Sequence, residues 1–522
     1  MILLIHKIGG RIVEVRKDGE PMIVSSDPCN AIWNLAEKFP EEKILWVEDE
    51  LKEFLDPRLA EKRILHERIM VSYAVNSKFL PGNIGYVDQL PFININPEIK
   101  FPTWRMSSDV GGIKGKTLLS FKEEFKGIRN FDFLLNSIAK VGQQNGLFCY
   151  SDPGLLQLNK LPKTANARGG DAELFSFVHR HYKTIWVYVL FFCLIRYENR
   201  LPITAFLKAF FDKKFFGKVI DIPEITQTAE VNEASIDVII PTIGRSKYLQ
   251  QVVKDLSRQS LLPQRVIIVE QNPAPDSTSE LVQMLGEEWP FEISHIFTHE
   301  AGACRARNKA LKEVKSDWVF FADDDIRMNR EVLENVIKEA VRLDVECLNL
   351  NCKQEGEETV FKKIKQWGSF GSGTSLVKSH FALQNEFSEV FEHGYGEDAD
   401  YGMKLRNSGC DIIYHPDLEL LHLKAPVGGF RKKPVLEWEK EDPLPKPSPT
   451  LMILGKRYYT SKQMKGFKIS LYLKFFRKQK TKNPWTYLKN MEERWKRSEY
   501  WSARLEREII YQKTHAIKRI KE

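Results

Sequence analysis

The stretch SDWVFFADDDIRM, from Ser316 to Met328, places three adjacent aspartates directly after an apolar run. Adjacent carboxylates repel one another, so a folded chain keeps three of them together only for a physical reason. Three explanations fit the pattern: a solvated turn, the capped beginning of a helix, or a divalent cation bound by the carboxylates. The remainder of the sequence has to distinguish between them.

The size and composition of the chain indicate a globular protein of several domains. Its 522 residues exceed what one hydrophobic core accommodates, and the hydrophobic (43%) and charged (28%) fractions are ordinary. The net charge of +8 is mild, and no nucleic-acid recognition motif accompanies it. We therefore expect no nucleic-acid partner.

The cysteines and the first residues favour a cytoplasmic location. The seven cysteines are odd in number, scattered and without a CxxC pair, which argues against a disulfide framework or a zinc site. The opening MILLIHKIGGRIVEV has the pattern of a strand and a turn, not of a signal peptide.

Two segments raise the question of membrane contact. TIWVYVLFFCLI (184–195) is too short to span a bilayer and fits either a buried helix or an interfacial one. Residues 455–482 are rich in Lys and Arg and contain no Asp or Glu, so they form either a solvated helix or a surface for anionic lipid headgroups. Peripheral contact with the inner face of the cytoplasmic membrane remains open.

A change in pattern near residue 235 indicates a domain boundary. The polar stretch DIPEITQTAEVNEAS (221–235) is typical of a linker, and continuous apolar strands then alternate with amphipathic helices. That alternation predicts an α/β domain with a mostly parallel sheet covered by helices on both faces. The predicted organisation is an N-terminal α/β or α+β domain (1–160), a helical connection (161–220), the linker (221–235), the α/β domain (236–431), and a Pro-rich, basic helical extension (432–522).

The strands of the α/β domain end in polar residues. VIIP leads into Thr242 and Arg245, VIIVE ends in Glu270, and VFFA ends in the three aspartates. Ligands of such sheets bind outside the carboxyl ends of the strands, which favours a site over a turn. In an extended chain Asp323 and Asp325 would project to one side and Asp324 to the other. Two such carboxylates suit Mg²⁺ or Mn²⁺.

A second acidic group begins the segment GEDADYGMKLRNSG, residues 396–409. The pattern predicts a helix with Asp400 in its first turn and Gly409 at its end. Asp398 fits both an N-cap and a general base that takes a proton from an attacking hydroxyl. The residues alone leave these two interpretations open.

Six segments in this order carry a family resemblance: DVIIPTIGR, RVIIVEQN, ACRARNKAL, WVFFADDDI, GEDADYGMKLRNSG and YHPDLELLHLKAPVGGFR. Over residues 236–431 the chain resembles bacterial glycosyltransferase family 2. The resemblance implies a GT-A (Rossmann-like) fold, a nucleotide-diphosphate sugar donor and inversion at the anomeric carbon. Each motif is weak alone, and together they raise both acidic groups above a purely structural interpretation.

The resemblance also implies roles for matching residues. Asp398 would be the catalytic base, and Glu397 would orient the base or the acceptor. Glu270 stands where the family usually has an aspartate, so the identity of the nucleotide stays open. The implied metal ligands are Asp323, Asp325 and His422. The implied donor-binding residues are Pro241, Thr242, Arg245, Glu270, Arg307, Asn308, Asp323 and Arg431.

The sequence thus predicts an inverting, metal-dependent glycosyltransferase of cell-surface polysaccharide synthesis. Its acceptor would be a hydroxyl of a glycan or of a polyprenyl-linked glycolipid. One alternative is a non-catalytic scaffold with an inactive transferase domain, and another is a sugar nucleotidyltransferase. The second would need a glycine-rich, basic loop after the first strand, which PTIGRSKYLQQ (241–251) does not supply.

The N-terminal half contains two segments that weakly resemble the same motifs. KILWVEDELKEF (43–54) resembles the triple-aspartate stretch, and FDFLLNSIAKVGQQNGLFCYSDPGLLQL (131–158) parallels residues 397–423. This resemblance has two explanations. Any strand followed by an acidic turn and a helix gives a similar pattern, or residues 1–160 form a degenerate GT-A-like module. Such a module lacks a clear counterpart of the first, nucleotide-binding strand. Phe131, Asp132 and Phe133 stand where the α/β domain has its acidic pair, so we expect no catalysis by this module. Acceptor binding, positioning of a partner and homodimer formation remain open for it.

Overall fold

A computed structural model describes residues 1–7, 10–75, 77–157, 166–226, 234–426, 435–479 and 483–521. Arg431, which the sequence analysis assigns to donor binding, lies outside the described residues. By the density of contacts the chain divides into two compact units. Unit 1 comprises Met1–Thr228, Lys363–Gln366 and Thr460–Ile469, and unit 2 comprises Ala229–Lys362, Trp367–Tyr459 and Ser470–Glu522.

The first part of the chain alternates short strands and helices. The strands are β1 Ile2–Lys7, β2 Arg11–Lys17, β3 Glu20–Pro21, β4 Lys43–Glu48, β5 Ile69–Tyr73, β6 Ser77–Lys78, β7 Phe101–Pro102, β8 Val110–Lys114, β9 Phe148–Ser151 and β10 Asn166–Ala167. The helices are α1 Pro28–Lys38, α2 Pro57–Glu61, α3 Gly115–Leu119, α4 Lys122–Phe125, α5 Phe131–Gly142, α6 Asp171–His181, α7 Ile185–Glu198 and α8 Ile203–Ala209.

The second part of the chain repeats the alternation with longer elements. The strands are β11 Ile236–Thr242, β12 Arg265–Gln271, β13 Glu292–Thr298, β14 Trp318–Ala322, β15 Ile326–Arg327, β16 Cys347–Lys353, β17 Lys365–Gln366, β18 Thr374–Lys378 and β19 Ile413–His422. The helices are α9 Ser246–Leu256, α10 Val282–Leu285, α11 Ala303–Leu311, α12 Val332–Arg342, α13 Ser379–Leu383, α14 Glu397–Asn407, α15 Pro449–Tyr458, α16 Ser461–Phe476 and α17 Pro484–Lys521.

Unit 2 is built on a mixed sheet with the strand order β13-β12-β11-β14-β18-β16-β19-β15. The four strands from β13 to β14 are parallel, β18 runs antiparallel between β14 and β16, and β16 is parallel to β19. All five residues of β14 are buried, as expected for a strand covered on both faces. The α/β class predicted for this region is confirmed.

The helices of unit 2 cover the sheet through regularly spaced apolar positions. In α9 the buried apolar residues Leu249, Val252, Val253 and Leu256 follow the i, i+3, i+4, i+7 spacing of one helix face. α14 is mostly buried and is followed by Gly409, whose positive φ of 97° matches the predicted helix end. Because β11 and β14 are parallel, their carboxyl ends lie at the same edge of the sheet. That edge holds the predicted site.

Unit 1 has its own mixed sheet, with the order β3-β2-β1-β4-β8-β5-β9-β7. The pairs β1–β4 and β5–β9 are parallel, whereas β8 runs antiparallel to both β4 and β5. Its core is rich in aromatic side chains, among which Trp104, Phe121, Phe125 and Phe175 are fully buried. Unit 1 is therefore an α/β domain with a hydrophobic core of its own.

Helix α7, the segment with two open interpretations, is buried on one face only. Val187, Leu190 and Leu194 are buried, while Tyr188 and Phe192 are about half exposed. No helix in the described part of the chain is long and apolar enough to cross a membrane. The seven cysteines, all within the described ranges, form no disulfide.

Candidate active site

The three aspartates lie in a turn after β14, and their side chains have separate partners. β14 ends at Ala322, so the alternation of an extended strand does not continue through the aspartates. Asp324 is buried and accepts hydrogen bonds from Thr242 Oγ1 (2.7 Å) and Arg245 Nη1 (2.8 Å). Burial raises the pKa of Asp324 to about 6. Asp324 thus ties the end of β14 to the end of β11.

Asp325 is also buried, and it faces His422 at the end of β19. His422 Nε2 lies 3.4 Å from Asp325 Oδ1, and the Ala425 amide donates to Oδ2 (2.9 Å). Arg245 lies 3.2 Å from the same Oδ2 atom. Burial opposes ionisation of Asp325, but the hydrogen bond from His422 and the charge of Arg245 hold its pKa below the usual value. In turn, the hydrogen bond to Asp325 raises the pKa of His422.

Asp323 is the most exposed of the three, with 39% of its side chain accessible. Its backbone N–H donates to the Gly373 carbonyl (3.2 Å), and its Oδ1 faces Arg307 Nη2 at 3.3 Å. Arg307 is buried, although it belongs to helix α11 near the surface of the sheet. The carboxylate of Asp323 is therefore partly exposed to solvent and lies next to the buried guanidinium of Arg307.

The second acidic pair begins helix α14. Asp398 Oδ1 accepts a hydrogen bond from the Ser372 amide (3.3 Å), and burial raises the pKa of Asp398. Burial, followed by the nearby charge of Asp398, raises the pKa of Glu397 to about 7. Two adjacent carboxyl groups of raised pKa at a helix N-terminus are typical of acid–base sites.

Arg307 and Ser372 connect the two acidic groups. Arg307 Nε donates to the Ser372 carbonyl (3.1 Å) while its Nη2 faces Asp323, and the Ser372 amide donates to Asp398. The charge of Asp323 contributes to the raised pKa of Asp398, which requires that the two carboxyl groups lie close together. Asp323 and Asp398 therefore lie on the same side of the sheet, as a shared site requires.

A cavity of about 440 Å³ adjoins this edge of the sheet. Burial and the charges of Asp323 and Asp325 raise the pKa of Cys352, a residue of the cavity wall, to about 12. Trp367 and Tyr414 form a stacked pair in the wall with ring centroids 5.0 Å apart. The lining residues are Asn349, Leu350, Asn351, Cys352, Lys353, Glu357, Glu358, Val360, Phe361, Trp367, Ser369, Phe370, Gly371, Thr374 and Tyr414.

Two of the expected donor-binding residues have structural partners. Glu270 is buried and accepts hydrogen bonds from Ser279 Oγ (2.5 Å) and the Glu280 amide (2.7 Å), with His295 Nε2 at 2.9 Å. Asn308 uses its amide to bond both the N–H and the C=O of one residue, Phe387. These contacts hold β12 and α11 in place. Pro241 is half-buried within β11, where it pairs with Val269.

Sequence reasoning missed the groups that anchor α11, the helix of Arg307. Glu392 accepts hydrogen bonds from the amides of Cys304 (3.3 Å) and Arg305 (3.2 Å) at the start of this helix. Gln271 accepts from the Gly302 amide (2.6 Å). A carboxylate at a helix N-terminus satisfies free N–H groups and complements the helix dipole. Because Glu392 is distant in sequence, no local pattern could have identified it.

Asp400, which the sequence places only in the first turn of α14, is fully buried and anchors the helix. It accepts hydrogen bonds from Tyr458 (2.8 Å) and Arg457 (3.1 Å) of α15 and from Ser388 (2.6 Å). The segment beyond the Pro-rich stretch therefore fixes the helix that begins with Glu397 and Asp398. A carboxylate so fully engaged has no spare acceptor for a substrate.

The donor atoms near the aspartates suit a hard divalent cation. In the described ranges, no group of three or more His, Cys, Asp or Glu side chains is arranged so that it could hold a metal ion by itself. Asp325 and His422 are 3.4 Å apart, and Asp323 is the exposed carboxylate of the same turn. Mg²⁺ and Mn²⁺ commonly take one or two carboxylates from the protein and the remaining ligands from substrate phosphates. The residues present fit such an incomplete set.

Comparison with known proteins agrees with this geometry. Residues 237–392 match the family described as Glycosyl transferase family 2. The poly(ribitol-phosphate) beta-N-acetylglucosaminyltransferase TarS of Staphylococcus aureus is 27% identical over 99 residues, which are 19% of this chain and 17% of TarS. The uncharacterized glycosyltransferase YwdF of Bacillus subtilis is 29% identical over 134 residues, 25% of this chain and 48% of YwdF.

Among solved structures, S. aureus TarS 1-349 in complex with UDP-GlcNAc is similar, with a TM-score of 0.35 and 19% identity. The similarity covers 45% of this chain and 70% of that one. By sequence the chain spans about a sixth of TarS (17%) and about half of YwdF (48%).

The sheet order of unit 2, the acidic turn after β14 and the matched residues define a GT-A domain, as the sequence predicted. Residues 237–392, which match the family, hold most of this sheet and the acidic turn.

Proposed function

We propose that the protein is a nucleotide-sugar-dependent, inverting glycosyltransferase whose reaction centre lies between Asp323 and Asp398. The observation that carries the proposal is the chain of contacts from Asp323 through Arg307 and Ser372 to Asp398. It brings a partly exposed carboxylate, a buried cation and a carboxyl group of raised pKa to one edge of the sheet. Relatives that are themselves glycosyltransferases support the same class.

Asp398 acts as the base in this proposal. Its oxygen accepts a hydrogen bond from a backbone amide, which fixes the carboxylate, and burial raises its pKa above the usual value. A base of raised pKa is a stronger proton acceptor while still ionised near neutral pH. It removes the proton from the acceptor hydroxyl as that oxygen attacks the anomeric carbon on the face opposite the nucleotide. One such displacement inverts the configuration.

The leaving nucleotide diphosphate requires positive charge. Arg307 is buried with its Nη2 atom 3.3 Å from Asp323, so its charge is poorly screened by water. Mg²⁺ or Mn²⁺ held by Asp323, Asp325 and His422 would supply further neutralisation of the diphosphate. Arg245 holds Asp324 and Asp325 in position and so orients this ligand set.

The acceptor binds in the cavity beside the aspartates. The half-buried Trp367, stacked on Tyr414, and the partly exposed Phe361, with a ring centroid 5.0 Å from Trp367, offer apolar ring faces. Asn349 and Lys353 add polar groups to the wall. Aromatic faces with a few polar groups suit a hydroxyl-rich chain. We assign this cleft to a glycan or glycolipid of the cell surface, in keeping with the polymer glycosylation named for TarS.

A surface of unit 1 supports peripheral membrane contact. We define the apolar face by the exposed residues of α7, of α8, of the loop between them and of the segment that follows: Ile185, Tyr188, Phe192, Ile195, Leu201, Ile203, Leu207, Phe211, Phe216 and Val219. The four members in α7 follow helical spacing, and Phe211 is 92% exposed. Residues 183–219 contain seven Lys or Arg and two acidic residues. Apolar side chains flanked by basic ones fit an anionic lipid surface, where a lipid-linked acceptor would be found.

The replacement Asp398→Asn tests the reaction centre. It keeps the shape of the side chain but removes the base, so we expect turnover to fall by about 10³-fold. Donor affinity should stay within about twofold because the diphosphate contacts are untouched. The measurement is transfer from a UDP-, GDP- or dTDP-sugar, with isothermal titration of the same donor.

A matched control is Asp317→Asn, which removes a carboxylate at the opposite, amino-terminal end of β14. This variant should keep full turnover. Undiminished turnover in Asp398→Asn, or loss of donor binding together with the rate, would refute the assigned role. Absence of donor hydrolysis and of metal-dependent nucleotide binding in the unaltered protein would favour the scaffold alternative.

A further inference from the structure

The sheet of unit 1 repeats the connectivity of the sheet of unit 2. In unit 2, β11 and β14 are parallel, β14 and β16 flank the antiparallel β18, and β16 is parallel to β19. In unit 1, β1 and β4 are parallel, β4 and β5 flank the antiparallel β8, and β5 is parallel to β9. The first-strand counterpart that the sequence left unclear is β1. The two outer strands beside β1 differ, since β2 and β3 run antiparallel to their neighbours where β12 and β13 run parallel to theirs.

The register of the strands is also the same where the acidic residues occur. β14 pairs with β18 over five residues and ends at Ala322, and β4 pairs with β8 over five residues up to Val47. The next residue is Asp323 in unit 2 and Glu48 in unit 1. Each donates its backbone N–H to the carbonyl of the residue just before the antiparallel strand, at 3.2 Å and 2.7 Å respectively. Glu48 therefore occupies the position of Asp323.

The base position has a counterpart as well. In unit 2 the second residue of α14, Asp398, accepts a hydrogen bond from the Ser372 amide. In unit 1 the second residue of α5, Asp132, accepts a hydrogen bond from the Ser108 amide at 2.8 Å. Both serines lie two residues before the antiparallel strand. Asp132 thus retains the position and the backbone contact of the base.

One difference changes the charge of the site. In unit 2 the residue between the serine and the antiparallel strand is Gly373, and any Cβ there would overlap the Asp323 carboxylate. In unit 1 the same position holds Asp109, a fully buried residue that accepts a hydrogen bond from the Val75 amide (2.6 Å). Unit 1 therefore has a third carboxylate where unit 2 leaves space.

The guanidinium of Arg168 lies among these carboxylates. Its Nη2 pairs with Asp109 and lies 3.7 Å from Glu48, and its Nη1 lies 3.1 Å from Asp132. Nη1 also donates to the Ser108 hydroxyl (2.7 Å). The arginine side chain is 17% exposed and the three acids are nearly or fully buried. A single side chain thus contacts each position that corresponds to the reaction centre of unit 2.

We propose that unit 1 is a second copy of the transferase fold whose site is closed by Arg168, the guanidinium standing where a divalent cation would bind. The copy binds no nucleotide sugar, and the chain has one working transfer site. Removal of the guanidinium converts Glu48, Asp109 and Asp132 into a cluster that binds a hard divalent cation, because carboxylates this close repel one another unless a cation lies between them.

The test is the melting temperature of Arg168→Met with and without Mn²⁺. The Asp323→Asn background removes the exposed carboxylate of unit 2, so the readout does not depend on the proposed transfer reaction. We expect Arg168→Met to melt about 10 °C lower than its background, because it removes the positive charge that lies among three buried carboxylates. Millimolar Mn²⁺ should then raise its melting temperature by at least about 3 °C and leave the background unchanged.

The matched control is Arg105→Met, which removes a half-buried arginine of the same unit whose Nη2 donates to the Leu80 carbonyl. It should lose stability and gain nothing from Mn²⁺. If Arg168→Met does not fold, the double variant Arg168→Met with Asp109→Asn is tested instead. It should fold, because it removes one negative charge together with the positive charge of the arginine. Three outcomes would overturn the proposal. The double variant does not fold, the melting temperature of Arg168→Met is unchanged, or Mn²⁺ affects Arg168→Met and Arg105→Met equally.

Discussion

Gly373 determines where the exposed carboxylate of the reaction centre lies. A Cβ at this position would overlap the carboxylate of Asp323, so Gly373→Ala forces that side chain away from Arg307. We expect about 100-fold lower turnover with little change in melting temperature, since a displacement of about 1 Å is enough to disrupt a reacting geometry. Gly286→Ala is the matched control because its Cβ would meet only ordinary contacts. Unchanged turnover in Gly373→Ala would show that Asp323 is not needed.

The carboxyl pair of α14 sets the pH dependence of the reaction. Burial and the charge of Asp398 raise the pKa of Glu397 to about 7, and burial raises that of Asp398. The base must be ionised, so kcat/KM should fall as the pH drops through the raised pKa of Asp398. The charge of Asp323 contributes to the raised pKa of Asp398, so Asp323→Asn should lower that pKa and move this limb of the profile to lower pH. The exposed Glu355→Gln should leave this limb in place, and a limb that does not move in Asp323→Asn would contradict the coupling.

Sequence alone located the carboxylates of the site but not the directions of their side chains. The extended-chain rule pairs Asp323 with Asp325, whereas the turn after Ala322 gives Asp324 and Asp325 a common partner, Arg245. Periodicity holds within a strand and ends with it. The burial of Arg307 was equally out of reach, since a helix face is buried or exposed according to elements distant in the chain.

At the scale of elements, the cleft beside the aspartates combines β16, β19 and the segment before β18. Trp367→Ala should raise the acceptor KM at least about 10-fold, because the acceptor loses an aromatic face. Donor hydrolysis without acceptor should not change, since Trp367 lies in the wall of the cleft assigned to the acceptor. Trp289→Ala, which removes a half-buried tryptophan of the same unit, is the control. Equal acceptor KM values for Trp367→Ala and the unaltered protein would show that this cleft does not bind the acceptor.

The elements themselves were largely predictable. Continuous apolar runs such as WVFF can be covered only within a parallel or mixed sheet, and Gly409 marks the end of α14 as expected. The cleft could not be predicted, because its walls come from residues 349–374 and from Tyr414. The strand β1 was recognised as a strand, yet its pairing with β4 is a long-range property that no local pattern reports.

At the scale of the whole molecule, the apolar face of unit 1 predicts binding to anionic bilayers. The unaltered protein should float with phosphatidylglycerol vesicles and not with phosphatidylcholine vesicles, and high salt should weaken the binding. The pair of replacements Phe192→Asp and Phe211→Asp should abolish flotation, because charged groups do not enter the bilayer interface. Ile23→Asp, at a fully exposed position outside the face, is the control. Flotation that survives the Phe192 and Phe211 replacements would exclude this face as the contact.

The central claim is that Asp323 and its neighbours hold an activated sugar through its diphosphate. The most direct test is titration of UDP-, GDP- and dTDP-sugars into the protein with and without Mn²⁺, repeated on Asp323→Asn. The account predicts that one donor binds, that Mn²⁺ strengthens its binding at least about 10-fold, and that Asp323→Asn removes this gain. Donor binding that is equally tight without Mn²⁺ and in Asp323→Asn would contradict it.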